Sequence, residues 1–421
     1  MSPDGWNRYR LGDIFTVARG GSPRPIDAYL TDDPNGINWI KIGDATASGK
    51  FIRTTKERIK PEGLSKTRRV IPGDFILSNS MSFGRPYIMA IDGCIHDGWL
   101  LLRPNDENSI DREFYFYLLG SDILQQLFSS QAAGSAVRNL NIDLVAAVEV
   151  QVPPLHEQRR IAEILSSVDE AIAATRAVIE QTRKVKQGVL ERLLTKGIGH
   201  TRFKQTEIGE IPEGWEVVEL QDVASVRTGL AKNKKEILDA VDLPYLRVAN
   251  VQDGYVDLSD LQTISVSRGQ IERYSLRKGD VLMTEGGDYD KLGRGDVWDG
   301  SVEPCLHQNH VFAVRADQER LVPEFLANLT ASRSGKAYFQ SCSKRSTNLA
   351  SINSTQVKQF PVRLPDLSEQ SEIVRISKSF DAAISVATSR LSQQLQLKSA
   401  LMSDLLTGRK RVNNALPIAA E

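Results

Sequence analysis

The chain has 421 residues with 53 Lys and Arg against 53 Asp and Glu, so its formal net charge is zero. That length is too great for one small core and fits two or three domains. The balance of charge argues against a protein that coats nucleic acid by bulk charge, although local basic loops can still contact phosphates. The sequence shows no apolar run long enough for a membrane span or a leader. Its three cysteines, Cys94, Cys305 and Cys342, lack Cys-x-x-Cys spacing. We therefore expect a protein of the reducing cytoplasm.

An internal repeat runs through most of the chain, with an offset that drifts from 206 to 212 positions. The phrase VPPLHEQRRIAEIL at 152–165 returns as LPDLSEQSEIVRIS at 364–377. Earlier anchors also return, namely WIKIGD as YLRVAN, PGDFILS as KGDVLMT, and Cys94-x-His96 as Cys305-x-His307. Each half is therefore a variable module followed by a more constant one.

The variable modules have the patterns of mixed strand and loop. Short apolar runs at 37–44, 74–79, 86–92 and 99–104 are bounded by Gly, Pro, Asp and Asn, which is typical of strands. Segments 111–130 and 322–341 have helical spacing and occupy equivalent places in the two halves.

The constant modules are predicted to be long helices, because prolines precede each one and apolar residues then recur at alternating spacings of three and four. The two seams run from Leu165 to Leu193 and from Ile373 to Leu405. One seam alone fits a bundle helix or a homodimer zipper, whereas two matched seams favour an internal antiparallel coiled coil. Polar residues interrupt both seams at matching places and either fix the register or are plain solvated defects; these residues are Thr182, Lys186, Gln394 and Lys398.

Polar and basic loops recur at matched positions of the two variable modules but differ in sequence. Asn, Gln, Arg, Lys, Asp and Glu read base edges, whereas Ser, Thr, Lys and backbone N–H groups suit phosphates. For any single residue a solvated loop is the simpler explanation, but the pairing of such loops at matched positions makes them candidate DNA contacts. In the first half the candidates are Arg19, Ser22, Arg24, Lys41, Lys66, Arg68, Ser78, Asn79, Ser80, Arg85, His96, Arg138 and Asn139. In the second half they are Arg227, Lys232, Lys234, Arg247, Asn250, Thr284, Lys291, Arg294, His307, Gln308, Asn309, Lys344, Arg345 and Asn348. The acidic residues Glu285, Asp288 and Asp290 in one of these loops either read bases, cap a neighbour or face solvent.

A search for catalytic chemistry finds no candidate site. GDATASGK at 43–50 resembles a phosphate loop but has the wrong glycine spacing, and Phe51 stands where a magnesium-binding Ser or Thr is needed. Methyltransferase, nuclease and serine-hydrolase motifs do not occur. Cys305, His307 and His310 have a spacing that a zinc site can use, but no fourth ligand is evident and strand alternation explains the spacing. We therefore expect no catalytic residues and no metal in this chain.

In the order, spacing and duplication of its motifs, the sequence resembles the specificity subunit of type I restriction–modification enzymes. The resemblance covers nearly the whole chain. It is most specific in PPLHEQRRI at 153–161, in PDLSEQSEI at 365–373, and in the linker LLTKGIGHTRFKQTEIGEIPEGW at 193–215.

The resemblance implies an α+β fold in which two pseudo-symmetric mixed α/β target recognition domains are separated by two long helices that form an antiparallel coiled coil. The expected boundaries are 1–152 and 199–363 for the recognition domains, 153–198 and 364–412 for the spacer helices, and 413–421 for a tail. Each domain would read one half of a bipartite site in double-stranded DNA.

The resemblance also implies partner subunits that carry the chemistry. The helices would set the spacer and dock two methyltransferase subunits, which hold S-adenosylmethionine, and two restriction motor–nuclease subunits would use ATP and magnesium. This chain would bind no cofactor and contact no membrane. Two alternatives stay open, namely a duplicated coiled-coil scaffold that binds only proteins and a fused pseudodimeric enzyme with an unrecognised site.

Overall fold

The structure is a computed structural model that describes residues 5–46, 49–79, 84–133, 140–231, 239–345 and 350–412. The chain divides into two compact units. The first unit comprises Met1–Arg176 with Ser389–Glu421, and the second comprises Ala177–Thr388. Both units are built from short strands and helices, and each contains part of both long helices.

In the first unit, two five-stranded sheets and a two-stranded ribbon form the variable module. The sheets have the orders β3-β6-β4-β10-β7 and β2-β11-β8-β9-β5, and β1 pairs with β12. The strands are β1 (Asn7–Arg10), β2 (Phe15–Arg19), β3 (Leu30–Thr31), β4 (Ile37–Ile40), β5 (Phe51–Ile52), β6 (Glu57–Ile59), β7 (Arg68–Val70), β8 (Phe75–Ser78), β9 (Pro86–Met89), β10 (Gly93–Ile95), β11 (Trp99–Pro104) and β12 (Glu149–Val152). The helices of this module are α1 (Leu11–Ile14), α2 (Arg112–Leu119), α3 (Asp122–Ala133) and α4 (Ile142–Ala147), and α5 (Leu155–Lys196) follows. The predicted apolar runs form the buried strands β4, β8, β9 and β11 or parts of them.

The second unit repeats this arrangement in smaller sheets. The ribbon β15-β27 corresponds to β1-β12, the sheet β16-β24-β21 to β2-β11-β8, and β20-β17-β23 to β6-β4-β10. The strands are β13 (Phe203–Thr206), β14 (Gly209–Pro212), β15 (Glu216–Glu219), β16 (Ala224–Thr228), β17 (Ala240–Leu246), β18 (Val251–Gln252), β19 (Tyr255–Val256), β20 (Gln262–Ser267), β21 (Val281–Thr284), β22 (Gly286–Gly287), β23 (Leu306–His307), β24 (Val311–Ala316), β25 (Lys344–Arg345), β26 (Ala350–Ser351) and β27 (Pro361–Leu364). The helices are α6 (Arg268–Tyr274), α7 (Pro323–Ala331), α8 (Arg333–Cys342), α9 (Ser354–Lys358) and α10 (Leu367–Leu405).

Each of the two segments with predicted helical spacing forms two helices rather than one. In the first unit the break falls at Gly120 and Ser121, and the Ser121 hydroxyl accepts a hydrogen bond from the Leu124 amide at 3.5 Å. In the second unit Ser332 caps α8 by accepting from the Gly335 amide at 3.1 Å. A serine that offers its side chain to the backbone favours a new helix start over continuation, and apolar spacing alone does not reveal such a break.

The predicted seams are confirmed by the burial of the two long helices. α5 has 42 residues and α10 has 39, which corresponds to about 60 Å each. Every predicted seam position between Leu165 and Leu193, and between Ile373 and Leu405, is buried or partly buried, whereas most positions between them are exposed. Gly197, at φ +66°, follows α5 and places its amide 3.0 Å from the carbonyl of Leu193, a left-handed ending that suits glycine.

Packing within each unit gives the helices their antiparallel sense. In the first unit Ile161 and Leu165 near the start of α5 share a core with Leu405 at the end of α10. In the second unit Leu194 near the end of α5 shares a core with Ile373 near the start of α10. The antiparallel coiled coil predicted from the matched seams is therefore confirmed, and the zipper and bundle alternatives are unnecessary.

Two of the four polar seam residues form ion pairs between the helices. Lys398 Nζ lies 2.6 Å from Asp169 in the first unit, and Lys186 Nζ lies 2.5 Å from Asp381 in the second. The two pairs occupy equivalent positions of the repeat, which favours the register interpretation for the lysines over the solvated defect. Thr182 instead hydrogen-bonds the Val178 carbonyl of its own helix at 2.8 Å.

The repeated Glu-Gln of the two matching phrases anchors each variable module to a long helix. The Gln158 side chain accepts from the Asp111 amide at 2.9 Å, and Gln370 accepts from the Val322 amide at 2.8 Å. Glu157, only 3% exposed, accepts from the Trp6 indole at 3.1 Å and from Arg411 at 2.8 Å. These buried hydrogen bonds explain why the phrase occurs twice.

Candidate nucleic-acid interface

Equivalent turns follow β10 and β23, and each is anchored by a histidine, His96 partly buried and His307 buried. β10 runs parallel to β4 inside its five-stranded sheet, and β23 runs parallel to β17 at the edge of the equivalent three-stranded sheet. The Ile42 amide lies 3.1 Å from His96 Nε2 and the Gly98 amide lies 2.6 Å from Nδ1, and a neutral imidazole accepts from one of these two amides. In the second unit the carbonyl of Tyr274 lies 3.1 Å from His307 Nδ1. The histidines therefore hold the turns from within.

In the first unit, candidate residues from two separate segments lie around Asp97, namely the end of β2 with its following loop, and β7. The Ser22 hydroxyl donates to the Asp97 carboxylate at 2.7 Å, and Arg24, whose side chain is 83% exposed, lies 3.8 Å from the other carboxylate oxygen. Arg19 Nε donates to the backbone carbonyl of Asp97 at 3.3 Å. Arg68 in turn donates to the Arg19 carbonyl at 3.4 Å, so β7 adds its basic side chains to the same surface.

The charges at this turn are set by burial and hydrogen bonding. The Ser22 hydrogen bond lowers the pKa of Asp97 more than burial raises it, and His96 and Arg24 lower it further. Burial lowers the pKa of His96. At neutral pH the turn therefore presents a carboxylate next to a neutral imidazole, within a surface of arginines.

In the second unit, the small sheet β22-β26-β25 joins two of the predicted loops. Gly286 pairs with Ser351, and Ser351 pairs with Lys344, so the loop after β21 lies beside the loop after α8. Glu285 pairs with His310 and Lys291 pairs with Asp288 at this surface. Of the three alternatives for the acidic residues, pairing with a neighbour holds for Glu285 and Asp288; the side chain of Asp290 lies outside the described residues.

Other candidates at the surface already have protein partners. Lys41 pairs with Glu57, and its equivalent Arg247 pairs with Asp260 at 2.7 Å. Arg227 donates to the Arg273 carbonyl at 2.9 Å. Lys66 Nζ lies 2.5 Å from the Tyr29 hydroxyl, and the Arg85 guanidinium lies over the Tyr87 ring at 5.5 Å from its centroid. The remaining surface candidates are partly exposed; they are Arg294, Gln308 and Asn309.

Five candidates are corrected by the structure because their side chains are buried and cannot contact DNA directly. Their exposed fractions range from 0 to 2%; they are Ser78, Asn79, Asn250, Thr284 and His307. Asn79 donates to the Asp97 carbonyl at 2.7 Å, and Asn250 donates to the Asp257 carbonyl at 2.9 Å. These side chains support the loops from the core, a role that the polar character of a loop residue does not distinguish from contact.

Some candidates lie outside the described residues. They are Ser80, Arg138, Asn139, Lys232, Lys234, Asn348 and the side chain of Arg345.

Asp97 is a residue that sequence reasoning missed, because among the acidic residues only Glu285, Asp288 and Asp290 were considered as base readers. A signal was available in the repeat. CIHDGW at 94–99 aligns with CLHQNH at 305–310, so Asp97 corresponds to Gln308, directly after a histidine that does not change.

The candidate zinc residues do not form a metal site. Within the described part of the chain, no group of three or more His, Cys, Asp or Glu side chains is placed to hold a metal ion. Burial raises the pKa of the Cys305 thiol to about 12 and lowers the pKa of His307 to about 4. A protonated, enclosed thiol is a poor ligand, so strand alternation accounts for this spacing. None of the described helices combines the length and the apolar character that crossing a bilayer requires.

Comparison with known proteins gives the same architecture over the whole length. The chain matches the family described as the type I restriction modification DNA specificity domain at residues 3–182 and again at 212–397. It is 26% identical over 426 residues to the type I restriction enzyme MjaVIII specificity subunit of Methanocaldococcus jannaschii, covering 98% of this chain and 94% of that one. It is 25% identical to the EcoKI specificity subunit of Escherichia coli, covering 89% of this chain and 81% of that one.

Solved structures agree in fold. A chain from a structure of type I restriction–modification complex assembly superposes with a TM-score of 0.66 at 20% identity, covering 97% of this chain and all of that chain. The S subunit from M. genitalium superposes with a TM-score of 0.52 at 14% identity, covering 96% and 99%. With two matched domains and full-length relatives, this chain belongs to the family of type I restriction–modification DNA specificity subunits.

Proposed function

We propose that this chain reads a bipartite DNA site, with the variable module of each unit contacting one half-site and the long helices fixing the spacer. The observation that carries the proposal is the pair of equivalent turns at Asp97 and Gln308. Their supporting histidines are the same, whereas their polar side chains differ. A matched scaffold with different contact residues is what two readers of two sequences need.

We also propose that the helices dock two methyltransferase subunits, and that two restriction subunits join them. Large apolar side chains are exposed on the helices away from the seam, including Val178 at 55%, Val386 at 71% and Leu397 at 52%. Exposed apolar side chains on a helix support protein association more than DNA contact. In this proposal S-adenosylmethionine, ATP and magnesium belong to the partner subunits, and this chain contributes recognition without catalysis.

Reconstitution with the methyltransferase subunits tests the proposal. Methyl transfer is measured on a library of duplexes, and methylated products are sequenced. We expect two short defined sequences separated by unspecified bases. Methylation or binding without any sequence preference would favour the protein-only scaffold, and methyl transfer or cleavage by the isolated chain would favour the fused enzyme.

A further inference from the structure

We propose that Asp97 and Gln308 are equivalent base-reading residues, Asp97 accepting a hydrogen bond from a cytosine amino group and Gln308 pairing with an adenine. The inference rests on the proposed function and names two specificity-determining residues of that same site. It follows from their place in the fold, the charges around them and the difference between the two units.

Both residues stand on turns whose backbone is fixed. The Asn79 side chain donates to the Asp97 carbonyl at 2.7 Å, and the Asn79 amide donates to the Gly98 carbonyl at 3.0 Å. In the second unit the Gln308 amide donates to the Leu246 carbonyl at 2.8 Å. With the equivalent histidine behind each turn, the partly exposed side chain is presented from a rigid support, as precise recognition requires.

The Asp97 carboxylate is out of place on a surface that only binds phosphates. Its side chain is 48% exposed and lies among Arg19, Arg24 and Arg68. A carboxylate repels phosphate, so a surface for backbone contact alone would be stronger without it. Asp and Glu accept from cytosine N4 in the major groove, and flanking arginines on the phosphates would hold such a contact in place.

The difference between the units argues against a purely structural role. The histidine is the same in both units because both turns need it, whereas the next residue changes from Asp97 to Gln308. The Gln308 side chain is partly exposed, so its amide can reach a ligand at the surface. A glutamine amide matches the N6 and N7 edge of adenine in two hydrogen bonds.

The test uses the reconstituted methyltransferase complex and duplexes that carry each of the four base pairs at every position of both half-sites. Asp97→Asn keeps an oxygen that can accept from Ser22, removes the charge and replaces the second acceptor oxygen with an amide donor. We expect the preference for a C·G pair at one position of one half-site to fall by about 10-fold, with the other half-site unchanged. Asp92→Asn is the matched control, because Asp92 is 58% exposed and pairs with Arg69 on the same domain; its selectivity should equal that of the wild type.

Gln308→Glu gives an independent arm in the second unit. We expect the preferred pair at one position of the other half-site to change from A·T to C·G. If the wild type reads a bipartite site but Asp97→Asn and Gln308→Glu keep its selectivity, the inference is overturned and the proposed function survives. Equal loss of both half-sites in Asp97→Asn would also overturn it, since that result marks a structural role. A wild type without sequence preference would overturn the proposed function itself.

Discussion

The two seam ion pairs have equivalent positions but unequal surroundings, which allows one to serve as the control for the other. In the first unit Asp169 accepts from Lys398 at 2.6 Å and from the Tyr117 hydroxyl at 2.7 Å, and its side chain is 30% exposed. In the second unit Asp381 pairs with Lys186 and is 55% exposed, with no other partner among the described residues. We predict that Asp169→Asn destabilises the paired helices much more than Asp381→Asn does.

The expected magnitudes follow from burial and the number of hydrogen bonds. Hydrogen bonds to a partly buried charge contribute about 1.5–3 kcal/mol, so we expect Asp169→Asn to cost about 2 kcal/mol. An exposed ion pair contributes about 0.2–1 kcal/mol, so we expect about 0.5 kcal/mol for Asp381→Asn. Two double-mutant cycles are completed by combining Asp169→Asn with Lys398→Met and Asp381→Asn with Lys186→Met. The coupling free energy between the paired side chains should be larger in the first unit by about 1 kcal/mol.

Hydrogen exchange is the appropriate assay, because a chain with two compact units does not have one well-defined free energy of unfolding. Exchange of the α5 and α10 amides, followed by mass spectrometry, reports local opening in each unit separately. Equal coupling in the two units, or a larger value at Asp381, would refute the link between burial and contribution. Zero coupling in both would restore the solvated-defect interpretation of the seam lysines.

Insertion of one heptad into both long helices keeps the seam in register and adds about 10 Å to their length. The preferred DNA spacer in the methylation assay should then lengthen by about 3 base pairs, and an unchanged spacer would contradict the proposal that the helices fix its length. Burial acts to raise the pKa of Glu157, but hydrogen bonds from Arg411 and Trp6 lower it on balance, so its contribution to stability is present at neutral pH and is lost as the pH falls below about 4.5. Glu157→Gln should lower the stability of the first unit at pH 7 by about 2 kcal/mol in hydrogen exchange and should remove part of this acid sensitivity. Burial lowers the pKa of His307 to about 4, so the unfolded chain takes up a proton first and the second unit should lose stability as the pH falls from about 6.5 to about 4. Hydrogen exchange in the second unit of His307→Gln should show a weaker pH dependence of stability in this window.

The positions of the long helices could be predicted from sequence because the buried face of a helix appears as a regular spacing of apolar residues within a short stretch of chain. Prolines before Leu155 and Leu367 and the spacing of apolar residues were enough to predict both helices, and the duplication predicted their pairing. The same local signals failed at Gly120 and Ser332, where one apolar pattern continues across two helices.

The candidate site was predictable only in outline. Matched polar loops pointed to the correct turns, but a polar residue in a loop can face DNA or support the loop from inside. Asn79 and His307 proved to be buried, and the partly exposed Asp97 was overlooked.

The sequence by itself determined the duplication, the long helices and the membership of the family, because these depend on periodicity and on order along one chain. Only the tertiary structure decided which side chains meet at the turns and which seam lysines find a carboxylate. Those contacts join residues such as Ser22 and Asp97, 75 positions apart, or Lys186 and Asp381, 195 positions apart. Such pairings depend on how strands are ordered and how helices are aligned across a shared core, and no short stretch of sequence encodes that order.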